Sequence, residues 1–138
     1  MAKNPSLQEL EGDDWGEPTH DSYLVRTVHA LRRKPIVDFT VEDLRLMIGQ
    51  AVGVSHLVPL ALIHLEQDPF VAGHYYPGDL LGVVLSVDAE YWRSHPIEAS
   101  RIGTIVDAAA ELLGSRDETD EIEKHLRTLM VARRWDST

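Results

Sequence analysis

The chain of 138 residues has no cysteine. Disulfides, thiolate nucleophiles and thiolate metal sites are therefore excluded. A reducing compartment is compatible with that lack but not required by it. Cations are scarce: 13 Lys and Arg stand against 23 Asp and Glu, a net charge of -10. Nucleic-acid binders present a basic field, so this balance argues against nucleic acid as a partner. Long apolar runs are missing too. The longest cover residues 58–65 and 80–87, interrupted by His64 and Ser86, whereas a membrane helix needs about 18 or more. Residues 1–6 (MAKNPS) carry no apolar core of a secretory signal. The expectation is a soluble, cytoplasmic protein with no membrane partner.

The spacings that carry catalysis are equally absent. Seven histidines occur, at 20, 29, 56, 64, 74, 95 and 125, yet none forms HxxxH or HExxH. His56 and His64 fall two helical turns apart, too far to share an ion. There is no G-x-S-x-G elbow, no G-x-G-x-x-G and no phosphate-binding loop. Several serines stand instead where helices begin. Glu42 and Asp43 are adjacent, and neighbouring helix positions point apart. No catalytic residue, metal ligand or cofactor is assigned.

What is present is helical periodicity. Ser6 with Glu9 is a capping box for a short helix over residues 7–11. Residues 12–20 hold two glycines and a proline and read as a loop. From Asp21, the residues Leu24, Val28 and Leu31 share a face, and Arg32, Arg33 and Lys34 suit the negative end of that helix before Pro35. Thr40 with Asp43 opens a helix carrying Val41, Leu44, Ile48 and Val52, which Gly53 should end. Ser55 should cap the next segment, residues 56–65, which is apolar nearly all round and so should be central and buried. Pro59 is expected in its first turn. Pro77 should begin a helix over residues 80–87, a run otherwise ambiguous with a strand because of its valines. Asp88 caps a turn bearing Tyr91 and Trp92. Pro96 opens a helix with Ile102, Ile105, Val106, Ala109, Leu112 and Leu113 inward, stopped by Gly114. Ser115 with Glu118 opens a last helix. The expected fold is all-α, a compact single-domain bundle of about six helices around the buried 56–65 segment. One domain spans residues 1–138.

Six short segments recur in order: residues 10–16 (LEGDDWG), 21–25 (DSYLV), 31–35 (LRRKP), 39–50 (FTVEDLRLMIGQ), 58–61 (VPLA) and 75–81 (YYPGDLL). Together they resemble the contact-dependent growth inhibition immunity proteins. The similarity runs over residues 7–113, leaving residues 114–138 as a C-terminal helix and tail. The resemblance implies an antitoxin that binds and neutralises a cognate bacterial toxin domain, often a nuclease, with no catalytic residues of its own. The runner-up readings are a small hydrolase using His and carboxylates, and an intracellular adaptor without a toxin.

Candidate partner-binding residues come from the side chains themselves. Glu9, Glu11, Asp13, Asp14, Glu17 and Asp21 cluster around Trp15, with only Lys3 opposing them nearby in sequence. Carboxylates beside an aromatic anchor suit a basic protein surface. The alternative is that Trp15 folds into the core and the carboxylates are merely solvated. Tyr75, Tyr76 and Asp79 form a second candidate. Two adjacent tyrosines before Pro77 cannot both be deeply buried, so one is expected to be exposed. The expected contact set is thus Asp13, Asp14, Trp15, Glu17, Asp21, Tyr75, Tyr76 and Asp79.

Overall fold

Capping chemistry sets where the helices begin. The computed structural model describes residues 4–19 and 22–113. Ser6 Oγ accepts from the Glu9 amide and Glu9 Oε1 accepts from the Ser6 amide, both at 3.2 Å, which opens α1 (Leu7–Glu11). Ser22 caps α2 (Tyr23–Arg33) through the Val25 amide. Thr40 and Asp43 form the expected box at the start of α3 (Val41–Gly49). Asp88 caps α6 (Ala89–Ser94). The remaining helices are α4 (Val54–Gln67), α5 (Asp79–Leu85) and α7 (Pro96–Leu113). A single 3-10 turn, Ile36–Asp38, links α2 to α3. The described residues form no β-strand, so the valine-rich 80–87 run resolves as helix.

Helix α4 is the hub. It packs on α3, α5 and α7, while α1 lies on α2 and α6 on α7. Leu57, Val58, Ala61, Leu62 and Leu65 are buried along its inner face. The helix is not enclosed all round, because Ile63 is 49% exposed on the far side. Arg101 reaches from α7 to Glu66 on α4, with Nη2 donating at 2.7 Å and Nε at 3.0 Å. That pairing holds the Glu66 carboxyl below its usual range.

Several sequence expectations shift. Helix α3 stops at Gly49, and Gly53, in the left-handed region at φ 65°, is the N-cap of α4 rather than the end of α3. Ser55 therefore sits inside the helix. Pro59 is its sixth residue, so the bond from its missing N–H to the Ser55 carbonyl is lost. Helix α5 starts at Asp79 behind Gly78, two residues after Pro77. The Tyr91–Trp92 turn is a helix of its own. Leu24 and Leu112 are 39% and 47% exposed, because the buried stripes of α2 and α7 pass beside them. His20, Asp21, Gly114 and the expected last helix lie outside the described residues.

Gly53 is required twice over. Its φ disfavours a side chain, and a Cβ there would meet Leu7 Cδ1 at 2.6 Å. Leu7 is wholly buried and anchors α1 at this point. Gly53→Ala is expected to destabilise the fold by about 1–3 kcal/mol. Gly103 lies within α7 with open space around it, so Gly103→Ala should instead stabilise by about 0.5–1 kcal/mol. Urea denaturation of the two variants against the native chain checks both signs.

Candidate functional site

The loop between α1 and α2 is fastened to one face of α2. His29, Arg32 and Arg33 stand three and four positions apart, so all three look the same way. Arg32 is only 1% exposed despite its charge. Its Nη1 pairs with Glu11 Oε1, and its Nη2 donates to the Asp13 carbonyl at 2.6 Å. Nε has no partner. The Trp15 ring covers this guanidinium, with Cζ 4.2 Å from the ring centroid. Next along the helix, Arg33 Nη2 donates to the Gly16 carbonyl at 2.8 Å, and His29 Nδ1 lies 3.2 Å from the same oxygen. A carbonyl only accepts, so Nδ1 carries the hydrogen there. His29 also meets the Trp15 ring edge-on, at 5.4 Å between centroids.

This arrangement changes the reading of the acidic loop. Arg32 and Arg33, far away in sequence, are folded into it. Glu11 is engaged by Arg32, and Asp13 Oδ2 accepts from Trp15 Nε1 at 3.2 Å. Asp14 is exposed, with Oδ1 accepting from the Gly16 amide at 2.7 Å. Glu17 is 86% exposed at the side chain and touches Arg33 only at 3.5 Å. Trp15 neither enters the core nor hangs free: it is 43% exposed and seated on Arg32. Of the six expected acids in this region, Asp14 and Glu17 thus offer the most open carboxylates among the described residues.

A second loop, residues 71–78, is built from an inward carboxylate. Asp79, expected to face a partner, is only 3% exposed. Oδ1 accepts from the Gly73 amide at 2.6 Å and Oδ2 from the Tyr75 amide at 3.1 Å, with the Tyr76 amide at 3.5 Å. It is therefore the anchor of the turn and not a contact. Glu42 on α3 takes the next amide, His74, at 2.9 Å. The two carboxylates crowd Gly73 so closely that a Cβ there would lie 2.6 Å from Glu42 Oε1. Arg45 grips Glu42 with Nε at 2.7 Å and Nη2 at 2.6 Å, and its Cζ stands 4.4 Å from the Tyr75 ring centroid. Tyr75 is 70% exposed and Tyr76 half-buried. The Arg45 bond holds the Glu42 carboxyl below the usual 4.5, against the opposing effect of its burial.

Asp43 turns the other way, to Thr40 and to Lys34 Nζ at 2.8 Å. That ion pair ties α2 to α3, and so the first loop to the second. A signal for the buried arginine was present in the sequence. Arg32 lies one turn beyond Val28, on the apolar stripe of α2, where a charge needs partners.

One groove among the described residues gathers few polar groups. This groove, of about 760 Å³ between α3, α5 and α6, is lined by Ile48, Val54, Val83, Val87 and Tyr91 among others, with no histidine. Its one carboxylate, Asp88, is engaged in capping α6. Burial, then the nearby Glu98, pushes the Tyr91 phenol up to about 12, so it stays protonated near neutrality. No group of three or more His, Asp or Glu among the described residues is placed to hold a metal ion. No described helix is long and apolar enough to cross a membrane.

Residues 9–102 match the family model of the CDI immunity proteins. The match covers both loops and the helices that hold them. No curated protein matches the chain.

Two outcomes are expected. Arg32→Met should strand Glu11 and release the Asp13 carbonyl, lowering stability by about 1–3 kcal/mol, reduced from the fully buried case because Glu11 is partly solvated. Chemical denaturation measures this, and increased acrylamide quenching of Trp15 should accompany it. The Glu42 carboxyl has a folded pKa below its unfolded one, so its contribution is full above about pH 4.5 and fades as pH falls through the folded value. Melting temperatures between pH 6 and pH 3, as about the useful range, should fall less steeply for Glu42→Gln than for the native chain.

Proposed function

The chain belongs to the CDI immunity proteins, and from that premise we propose that it neutralises a cognate toxin domain by binding and covering it. It transforms no substrate. The toxin is a nuclease in this reading, because an enzyme that grips phosphate presents a cationic surface. A chain with net charge -10 is complementary to such a surface.

The observation that carries the proposal is the α1–α2 loop. It sets an exposed indole beside the open carboxylates of Asp14 and Glu17, held in place by buried and half-buried cations. An ordered aromatic with nearby charge is the chemistry of an interface anchor. Tyr75, on the second loop, is a further contact in this reading, with Tyr76 at its edge. Asp79 acts from inside, as a support of the second loop, and the exposed Asp13 steadies the indole. The hydrolase reading finds less support, since the depressed carboxyls of Glu42 and Glu66 are each engaged by an arginine.

The test uses the cognate toxin domain that this reading requires, sought in the adjacent reading frame and inactivated for binding work. Charge reversal at Asp14 and Glu17 together (Asp14→Lys, Glu17→Lys) should slow association by about tenfold at low salt and by less as salt is raised. Stopped-flow mixing at two ionic strengths reads this directly. Expression of the native chain should also protect cells from the active toxin domain. An unchanged association rate with the fold intact would remove the acidic loop from the interface, and failure to protect would reject the function.

A further inference from the structure

Trp15 and Tyr75 share a construction that their sequence contexts do not suggest. Each ring is exposed on one side and has a guanidinium on the other, at 4.2 Å for Arg32 and 4.4 Å for Arg45. Each of those arginines is in turn fixed by a glutamate, Glu11 or Glu42. Their side chains are 2% and 15% exposed, so neither swings out to meet a partner. The Trp15 ring is also held by its Nε1 hydrogen bond to Asp13, and the backbone of Tyr75 by the hydrogen bond from its N–H to Asp79. The Lys34–Asp43 pair joins the two supporting helices.

A cation on a ring draws on the negative face of the π system. A second cation arriving on the opposite face would meet a ring already polarised toward the resident guanidinium and so would gain less there than at an open carboxylate, although Glu11 and Glu42 offset the resident charges. We infer that Trp15 and Tyr75 are a pair of arginine-backed platforms whose outer faces take uncharged surface of the toxin domain, peptide planes or aliphatic carbons, while its cations go to Asp14 and Glu17. Arg32 and Arg45 are then positioning residues that also set specificity. This rests on the reading proposed above and names the chemistry of the partner surface within it. Because the rings are already ordered in the free protein, little side-chain freedom is lost when they are covered.

The experiment measures binding of the same inactivated toxin domain by calorimetry. Trp15→Ala and Tyr75→Ala should each weaken binding by about tenfold or more. Tyr23→Ala is the control: Tyr23 is 76% exposed with no guanidinium over its ring among the described contacts, and its loss should change affinity by less than about twofold. Arg45→Met combined with Tyr75→Ala should lose no more than about twofold beyond Tyr75→Ala alone, since both act through one ring. Fluorinated tryptophans inserted at position 15 alone keep the area of the ring and drain its face of charge. Across the mono- to tetrafluoro series the affinity should change by less than about threefold.

A graded loss exceeding about tenfold with added fluorine, with the urea stability of the free chain unchanged across the series so that the Arg32 contact is intact, would mean that a toxin cation sits on the ring, and would overturn the inference. So would native-like binding by both alanine variants, which would leave the immunity reading standing. Absence of binding by the native chain itself would remove the reading and the inference together.

Discussion

A guanidinium inside a protein is tolerated only if its charge and its N–H groups find partners, and Arg32 meets that demand with the α1–α2 loop. Glu11 neutralises it, the Asp13 carbonyl accepts from it and the Trp15 ring closes over it. Leaving any of these out would expose the cost of a desolvated cation, several kcal/mol even after relaxation, as an order of magnitude. The chain therefore has one low-energy way to run from Glu11 to Gly16. The position of the indole and the directions of Asp14 and Glu17 follow from that path. The Arg32 Nε is left without a hydrogen-bond partner.

The same logic works at the second loop with the sign reversed. There the buried charge is a carboxylate, Asp79, and backbone amides of residues 73 and 75 satisfy it. Arg45 stands 4.0 Å away and adds attraction without a direct bond. Glycine at 73 is what lets two carboxylates approach the same stretch of backbone. Each loop is ordered before any partner arrives, which lowers the conformational entropy lost on association. The hub helix α4 contributes indirectly: by burying its apolar face against α3, α5 and α7 it fixes the frame on which both loops sit.

These features lie in the part of the chain that matches the CDI immunity family. Its match over residues 9–102 spans both loops, Arg32, Arg45 and the helices between them. Several carboxylates among the described residues are engaged in caps, loop backbone and ion pairs. Glu42 receives an amide and an arginine, Asp43 closes a cap and a cross-helix pair, and Asp88 caps α6.

Local rules settled much of the chain in advance. Ser6–Glu9 and Thr40–Asp43 are short-range hydrogen-bonding patterns, so the starts of α1 and α3 are legible from residue order alone. The 3.6-residue stripes of α3 and α7 are equally local, and so are the expectations that Glu42 and Asp43 diverge and that one of Tyr75 and Tyr76 is exposed. Helix ends near glycine were less legible, because Gly49 and Gly53 both suit a stop and only the packing of Leu7 makes the second one a start. The candidate site divided along the same line. Acids and an indole between residues 9 and 17 can be read off the chain, but not that Arg32 and Arg33, some 16 to 21 positions away, fold into them. Nor could residue order reveal that Asp79 faces inward. Electrostatic partners of a buried charge are chosen by distance in space, and tertiary packing alone brings those groups together.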